Sequence, residues 1–350
     1  MKRKTLLTTV ALLSLSLVAC GKVSTEHTDA GMTAMMQEDF ASADRAFSEA
    51  LNSGEDEELV YRGKGLMYMG QQDYAAAVKA FKTALSYADL SPSDLEYDIN
   101  YYMAVCYYKL GEYEDAVAVY DSIIQLKTKD ETAFFMRGTM KLYMADVEGA
   151  AADFDAAIAL KPKDYSLCLD AYAAMSKCGY VDRAQEYMNK VAMASNDKNV
   201  TDYDKGRVRY YQGDYNTAIN FLELARKGAQ GSSAEMITML GDCYEKTGNF
   251  SHAVSVYEGY VSEVKDPTMY NQIGLCYAKQ GDYANALKAF QNGQLILENN
   301  TCMQTLKINE IVCYEYLHDY KAARERLEEY LLVYPTSEEI GKEWCFLVTR

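Results

Sequence analysis

Small and large apolar residues recur along the chain in a fixed order. A small residue is followed nine positions later by an aromatic or other apolar residue, three positions further by Ala, and four positions further by a second large apolar residue. The first copy of this pattern is Gly31, Phe40, Ala43 and Phe47. Because residues four apart lie on one face of a helix, each copy predicts two amphipathic helices joined by a short turn.

The pattern occurs nine times, with a period close to 34 residues. The alanine after the turn is present in every copy, as Ala43, Ala77, Ala116, Ala150, Ala184, Ala218, Ala253, Ala286 and Ala323. Small residues suit the places where two antiparallel helices approach closely, and large side chains fill the space beside those contacts. Glycines fall between the paired helices, where a left-handed cap is expected, at Gly111, Gly213, Gly248 and Gly281.

This unit resembles the tetratricopeptide repeat family, whose repeat is a helix-turn-helix. The resemblance implies an all-α fold, a right-handed α-solenoid of about nine repeats over residues 24–335. The repeats are expected to start near residues 24, 58, 97, 131, 165, 199, 234, 267 and 304. Residues 336–350 begin with a capping box, Thr336 and Glu339, and are expected to form a capping helix over the last repeat. Tyr172 stands where the pattern has a small residue, which predicts a splayed fifth helix pair.

Residues 1–19 have the features of a secretory signal peptide. A basic start at residues 2–4 precedes an uncharged apolar run that is too short for a comfortable membrane span. The run ends in Leu17-Val18-Ala19-Cys20, which resembles the lipobox of bacterial lipoproteins. That resemblance implies cleavage before Cys20, lipidation of its thiol and a short tether over residues 20–27. An ordinary secretory signal with a chance cysteine is the alternative.

The lipobox resemblance also predicts a location. We expect an extracytoplasmic protein that is lipid-anchored to the bacterial cell membrane, or to the outer membrane if the host has one. The chain carries 51 acidic and 35 basic residues, a formal net charge of -16. Because phosphate binding needs clustered Lys and Arg, nucleic acid is not an expected partner.

No constellation of residues points to catalysis. The histidines fall in three different repeats, at His27, His252 and His318, so no convergent site is expected around them. The chain has no Cys-x-x-Cys pair and no glycine-rich phosphate loop. We therefore expect a protein that is not an enzyme and needs no metal or cofactor. Four cysteines share one repeat position and predict small buried packing residues, at Cys106, Cys243, Cys276 and Cys313.

The family resemblance implies a binding surface as well. In the family the first helix of each repeat lines the inner groove, and the corresponding positions here are Tyr101, Tyr108, Lys109, Phe135, Thr139, Tyr143, Tyr203, Arg207, Tyr210, Tyr211, Asp242 and Asn271. Tyr and Arg dominate many protein interfaces because they combine a large rigid area with a polar tip. The alternative is core packing, since an error of one residue in register would move a groove residue into the helix interface.

Together these features predict a lipid-anchored adaptor that binds a protein or peptide partner in its groove, within an envelope assembly. The alternative function is capture of a glycan or small solute, as in nutrient-uptake lipoproteins that use such repeats. Those proteins build their pocket from long insertions. The longest insertion in this chain is five residues beyond the period, which favours the adaptor.

Overall fold

The chain folds into helices joined by short turns. The structure is a computed structural model that describes residues 24–37, 39–88, 93–228, 233–296 and 302–333, and every regular element in these ranges is an α-helix. In chain order the helices are α1 (Glu26–Met36), α2 (Phe40–Ser53), α3 (Glu57–Gly70), α4 (Tyr74–Tyr87), α5 (Asp94–Leu110), α6 (Tyr113–Leu126), α7 (Glu131–Tyr143), α8 (Val147–Leu160), α9 (Tyr165–Lys177), α10 (Val181–Met193), α11 (Asp202–Tyr211), α12 (Tyr215–Lys227), α13 (Ala234–Lys246), α14 (Phe250–Val261), α15 (Pro267–Lys279), α16 (Tyr283–Gln294), α17 (Met303–Tyr316) and α18 (Tyr320–Val333). The all-α prediction is confirmed.

The chain divides into two compact units, the first ending at Val200 and the second beginning at Thr201. The first unit contains α1–α10 and the second contains α11–α18. Within each unit an odd-numbered helix packs on the even-numbered helix that follows it, and each pair packs on the next pair. This is the helix-turn-helix array of an α-solenoid. The predicted signal peptide, Cys20 and the predicted capping helix at 336–350 lie outside the described residues.

The repeated motif builds the core. All nine motif alanines are fully buried, from Ala43 to Ala323. The large residue four positions after each alanine is also buried in every copy, as Phe47, Phe81, Tyr120, Phe154, Met188, Leu222, Tyr257, Phe290 and Leu327. Burial of such side chains supplies the main stabilising free energy of each helix pair.

Glycine at the first motif position lets the paired helices touch. A Cβ atom added at Gly31 would lie 2.7 Å from a ring carbon of Phe47, closer than real Cβ contacts. At Gly65 an added Cβ would overlap the ring of Phe81 more severely. The rings therefore pack directly on glycine backbone, and this close approach explains why a small residue recurs there.

Left-handed residues end the first helix of many pairs. The four glycines predicted to cap helices all have positive φ angles; Gly111, for example, has φ of 79°. At this angle an L-residue with a Cβ atom is strained, whereas glycine is not. The predicted glycine caps are confirmed.

Tyr172 does not splay the fifth helix pair. Its side chain is buried, and α9 packs on α10 as closely as the helices of the other pairs do. The large-residue position of this pair carries Met188 where most pairs carry a ring, and an unbranched side chain adapts its shape to a bulky neighbour. The prediction of a splayed pair is wrong.

Glu55, in the turn between α2 and α3, caps the N-terminus of α1. Its carboxylate accepts hydrogen bonds from the backbone N–H of His27 (2.8 Å) and from the N–H and hydroxyl of Thr28 (2.9 and 2.6 Å). Because α1 begins at Glu26, the last two residues of the predicted 20–27 tether are helical.

We expect the stability of α1 to depend on the ionisation of Glu55. Burial opposes ionisation, but the hydrogen bonds from Thr28 and His27 outweigh it and lower the pKa of Glu55 below its ordinary 4.5. A lowered pKa stabilises the fold above the unfolded-state pKa, and the contribution is lost as the pH falls through the folded-state value. Glu55→Gln should cost about 1.5 kcal/mol at neutral pH, and the deficit should shrink below about pH 4.5.

Urea unfolding at a series of pH values measures this deficit. Glu328→Gln, an exposed change in α18, serves as the control and should leave stability nearly unchanged at every pH. A deficit for Glu55→Gln that stays constant down to acidic pH would show that the carboxylate charge is not what caps α1.

Candidate functional site

Tyr101, on α5, is hydrogen-bonded to the residue that caps the start of α7. Its hydroxyl donates to Oδ1 of Asp130 (2.8 Å), and the same oxygen accepts the N–H of Ala133 and so caps α7. Burial, which has the largest effect, and the hydrogen bond to Asp130 raise the pKa of Tyr101 far above its ordinary value. The phenol therefore stays protonated. Its ring also meets the buried ring of Tyr120 edge to face. Tyr101 is therefore a half-buried link between helices.

Three half-buried tyrosines meet where α5, α6 and α7 come together. Tyr108 lies near the end of α5, Tyr113 begins α6 and Tyr143 ends α7. The hydroxyl oxygens of Tyr108 and Tyr143 are 3.2 Å apart and their ring centroids 5.3 Å apart. The Tyr143 ring also stacks on Tyr113, with centroids 5.0 Å apart and 13° between the ring planes. We call Tyr108, Tyr113 and Tyr143 the tyrosine cluster.

The other predicted residues of the first unit are also half-buried. The Phe135 ring lies 4.9 Å from the buried ring of Phe154, so it extends the core. The Thr139 hydroxyl donates to the carbonyl oxygen of Phe135 in its own helix (3.0 Å). Lys109 is half-buried in the last turn of α5.

An ion network centred on the buried Asp153 lies beside these residues and was not predicted. The Arg137 guanidinium on α7 contacts Asp153 of α8 through Nη2 (2.5 Å) and Asp121 of α6 through Nη1 (2.5 Å). Lys141 Nζ reaches the second oxygen of Asp153 at 2.9 Å. Hydrogen bonds to Asp153, which has the larger effect, and to Asp121 raise the pKa of Arg137. Two basic side chains thus share one buried carboxylate, which fixes α7 against its neighbours.

In the second unit, Tyr210 is the centre of the predicted residues. Its hydroxyl donates to Oδ2 of Asp242 on α13 (2.7 Å). Its ring meets those of Tyr211 and Tyr215 edge to face, with centroids 5.6 and 5.9 Å apart. Burial, which has the largest effect, and the hydrogen bond to Asp242 raise the pKa of Tyr210 far above its ordinary value. The structure therefore brings Tyr210, Tyr211 and Asp242 together.

Arg207 and Asn271 are buried, with 2% and 6% of their surface exposed. The Arg207 guanidinium lies over the ring of half-buried Tyr203, 5.5 Å from its centroid. Asn271 accepts a hydrogen bond from the side-chain amide of Asn309 (2.8 Å). Arg207 directly follows the glycine contact of its helix, and that position turns inward. The prediction that Arg207 and Asn271 line an open groove is wrong.

The buried cysteines have the environment predicted for them. Burial raises the pKa of each of four thiols to about 12, at Cys106, Cys243, Cys276 and Cys313. A thiol with so high a pKa stays protonated at neutral pH and is a poor nucleophile. Among the described residues, no group of three or more His, Cys, Asp or Glu side chains is placed to hold a metal ion, and no helix is long and apolar enough to cross a membrane.

Two tyrosines of the site are missing from the predicted surface. Tyr113 and Tyr215 begin α6 and α12, and the sequence pattern assigned their motif position to filling space beside the helix contact. Both are half-buried rather than buried and touch the predicted tyrosines. The signal was present in the sequence, since each directly follows the turn after a predicted surface tyrosine.

Comparison with known proteins gives the same architecture. Models of the tetratricopeptide repeat match residues 28–94, 62–131, 203–269 and 267–294, more than half of the chain. The chain is 24% identical over 247 residues to the TPR repeat-containing protein MJ1428 of Methanocaldococcus jannaschii, an alignment that covers 67% of this chain and 42% of that protein. The chain thus spans less than half the length of this relative.

Similar solved structures include yeast Tom70, with a TM-score of 0.60 and 14% identity over 86% of this chain and 67% of that one. The pilF protein of Pseudomonas aeruginosa is similar at a TM-score of 0.43 and 16% identity, over 61% of this chain and 96% of that one. At these identities the likeness concerns the fold.

Proposed function

The chain belongs to the tetratricopeptide repeat family, and from this premise we propose that it is a lipid-anchored, extracytoplasmic scaffold that binds a protein or peptide partner. Family membership supports the general role, a scaffold for protein–protein interaction. The observation that carries the binding surface is the concentration of half-buried tyrosines near the turns that join paired helices, in the tyrosine cluster and around Tyr210. Rings that are partly covered by one another are preorganised, so a partner need not order them.

The proposed anchor rests on the sequence of residues 1–20. A Cys20→Ser variant lacks the thiol that would carry the lipid, so we expect it to lose palmitate labelling and to leave the membrane fraction. The variant should keep the helical circular dichroism spectrum of the parent chain, because Cys20 precedes α1. Retention of the label in Cys20→Ser would contradict the proposed lipidation site.

The proposed binding surface is tested by crosslinking and pull-down from the native envelope. A variant with Tyr143→Ala and Tyr210→Ala removes one ring from each unit, and we expect partner binding to weaken by more than about 1 kcal/mol. Tyr87→Ala is the matched control, because Tyr87 is an exposed ring on a second helix, α4. Its pull-down should equal that of the parent chain.

Circular dichroism and thermal unfolding of the double variant separate binding from folding. Retained helicity with a lost polypeptide partner supports the scaffold. Loss of the fold would instead assign Tyr143 and Tyr210 to the core. Capture of the same partner by the parent chain and the folded double variant would contradict the proposed surface.

A further inference from the structure

The tyrosine cluster is flanked by exposed apolar and acidic side chains. Leu110 and Met144, which adjoin it in sequence, are each 39% exposed. Glu112 and Glu114 lie on either side of Tyr113 in the chain and are exposed. Aromatic faces, exposed apolar surface and carboxylates therefore occur together at this end of α5, α6 and α7.

Glu112 is not used to hold the fold as its counterparts are. It occupies the N-cap position of α6, but its side chain makes no capping hydrogen bond. At the same position before α16, Asp282 accepts the N–H of Asn285 at 3.1 Å. The carboxylate of Glu112 therefore has no capping role, which falls mainly to Ser, Thr, Asp and Asn.

Nearby positive charge includes Lys82 of α4, whose pKa is raised by a hydrogen bond to Tyr107 and by the charges of Asp115 and Glu112. Lys141 is paired with the buried Asp153 (2.9 Å), and Lys109 is half-buried. The chain as a whole has a formal net charge of -16. A positively charged segment would therefore be attracted over a distance and would meet ring faces on arrival.

Resting on the proposed function, we propose that the tyrosine cluster binds an arginine-bearing basic segment of the partner polypeptide. A guanidinium group is planar and weakly hydrated, so it stacks on aromatic faces better than an ammonium group does. Glu112 and Glu114 supply the attraction for its charge, and Leu110 and Met144 contact apolar parts of the segment. An acidic segment would be repelled here, and a neutral glycan has no positive charge for the two carboxylates to attract.

The second unit contains a matched control. Tyr283 and Tyr316 occupy the repeat positions of Tyr113 and Tyr143 and stack face to face, with centroids 4.2 Å apart. Ala278 stands where the cluster has Tyr108, and Ala284 stands where it has Glu114. This pair therefore has two rings and one adjoining carboxylate, Asp282, without the third ring and without the second carboxylate.

The test is fluorescence anisotropy of a labelled peptide of alternating arginine and glycine against the purified full-length protein, at about 0.15 M salt. Tyr143→Ala should weaken binding at least about fivefold, while Tyr143→Phe, which keeps the ring, should bind nearly as the parent does. Tyr316→Ala should bind as the parent. A combined Glu112→Gln and Glu114→Gln variant should weaken binding about threefold and reduce its salt dependence.

Unchanged binding by folded Tyr143→Ala, or an equal loss in Tyr316→Ala, overturns the proposal. If Tyr143→Ala fails to fold, the combined Glu112→Gln and Glu114→Gln variant provides the test. Unchanged peptide binding by that variant also overturns the proposal. Maltohexaose binding that needs Tyr143 but not the glutamates would assign the cluster to a glycan instead. A further outcome is that the envelope pull-down still captures a polypeptide that depends on Tyr143 while the arginine peptide does not bind. That result would support the scaffold function and contradict only the proposed preference for arginine.

Discussion

Gly65→Ala is expected to lower the free energy of unfolding by about 2 kcal/mol. The added methyl group would overlap the fully buried ring of Phe81, which packs on the backbone of α3 at Gly65. Overpacking of this kind costs about 3 kcal/mol when neighbours cannot move. Alanine is a better helix former than glycine by about 1 kcal/mol, so the propensity gain offsets only part of the clash.

Gly259→Ala is the matched control for Gly65→Ala. Gly259 lies within α14, and a Cβ atom added there would have no neighbour within 4 Å. With the clash absent, only the propensity gain of about 1 kcal/mol remains, and Gly259→Ala should stabilise the chain. Urea unfolding of both variants measures whether each substitution lowers or raises the free energy of unfolding. A Gly65→Ala protein as stable as the parent would mean that α3 and α4 can separate without cost.

Asp153→Ala is expected to destabilise the first unit by about 3 kcal/mol. Asp153 is the carboxylate shared by Arg137 and Lys141, and its side chain is 5% exposed. Removing it leaves two largely buried positive charges without their common partner. Breaking a buried ion pair from one side is strongly destabilising, because the remaining charge keeps its desolvation cost.

Asp121→Ala provides the comparison for Asp153→Ala. Asp121 binds the same guanidinium at 2.5 Å, but its side chain is 47% exposed. Water can replace an exposed carboxylate, so the loss should stay below about 1 kcal/mol. Thermal unfolding of both variants measures the difference. Equal losses in the two variants would show that burial of Asp153 is not what makes the network matter.

The repeated core was predictable from the sequence because the contacts within each helix pair join residues that are close in the chain. Ala77 and Phe81 are four residues apart on one helix, and Phe81 meets Gly65 across a single turn. A local pattern therefore fixes both partners. The period alone, however, specifies spacing and not the rotation of a helix about its axis.

The site was less predictable for that reason. Successive helix residues are rotated by about 100°, so a small rotation moves a residue from the surface to the interior. This is the difference between Tyr210, which is half-buried, and Arg207, which is buried three residues earlier on the same helix. Asp153 could not be assigned either, because its basic partners, Arg137 and Lys141, come from another helix.

Because each helix packs mainly on helices near it in the chain, the packing affects how fast the protein folds. In the first unit, the main contacts of each described helix are with the next helix or the next but one. A chain with such low contact order closes only short loops while folding, and such chains fold fast for their length. Terminal pairs can open without disturbing distant ones. Among the described helices, amide hydrogens of the first pair, α1 and α2, should therefore exchange with solvent sooner than those of α5 and α6, which have a described pair on both sides.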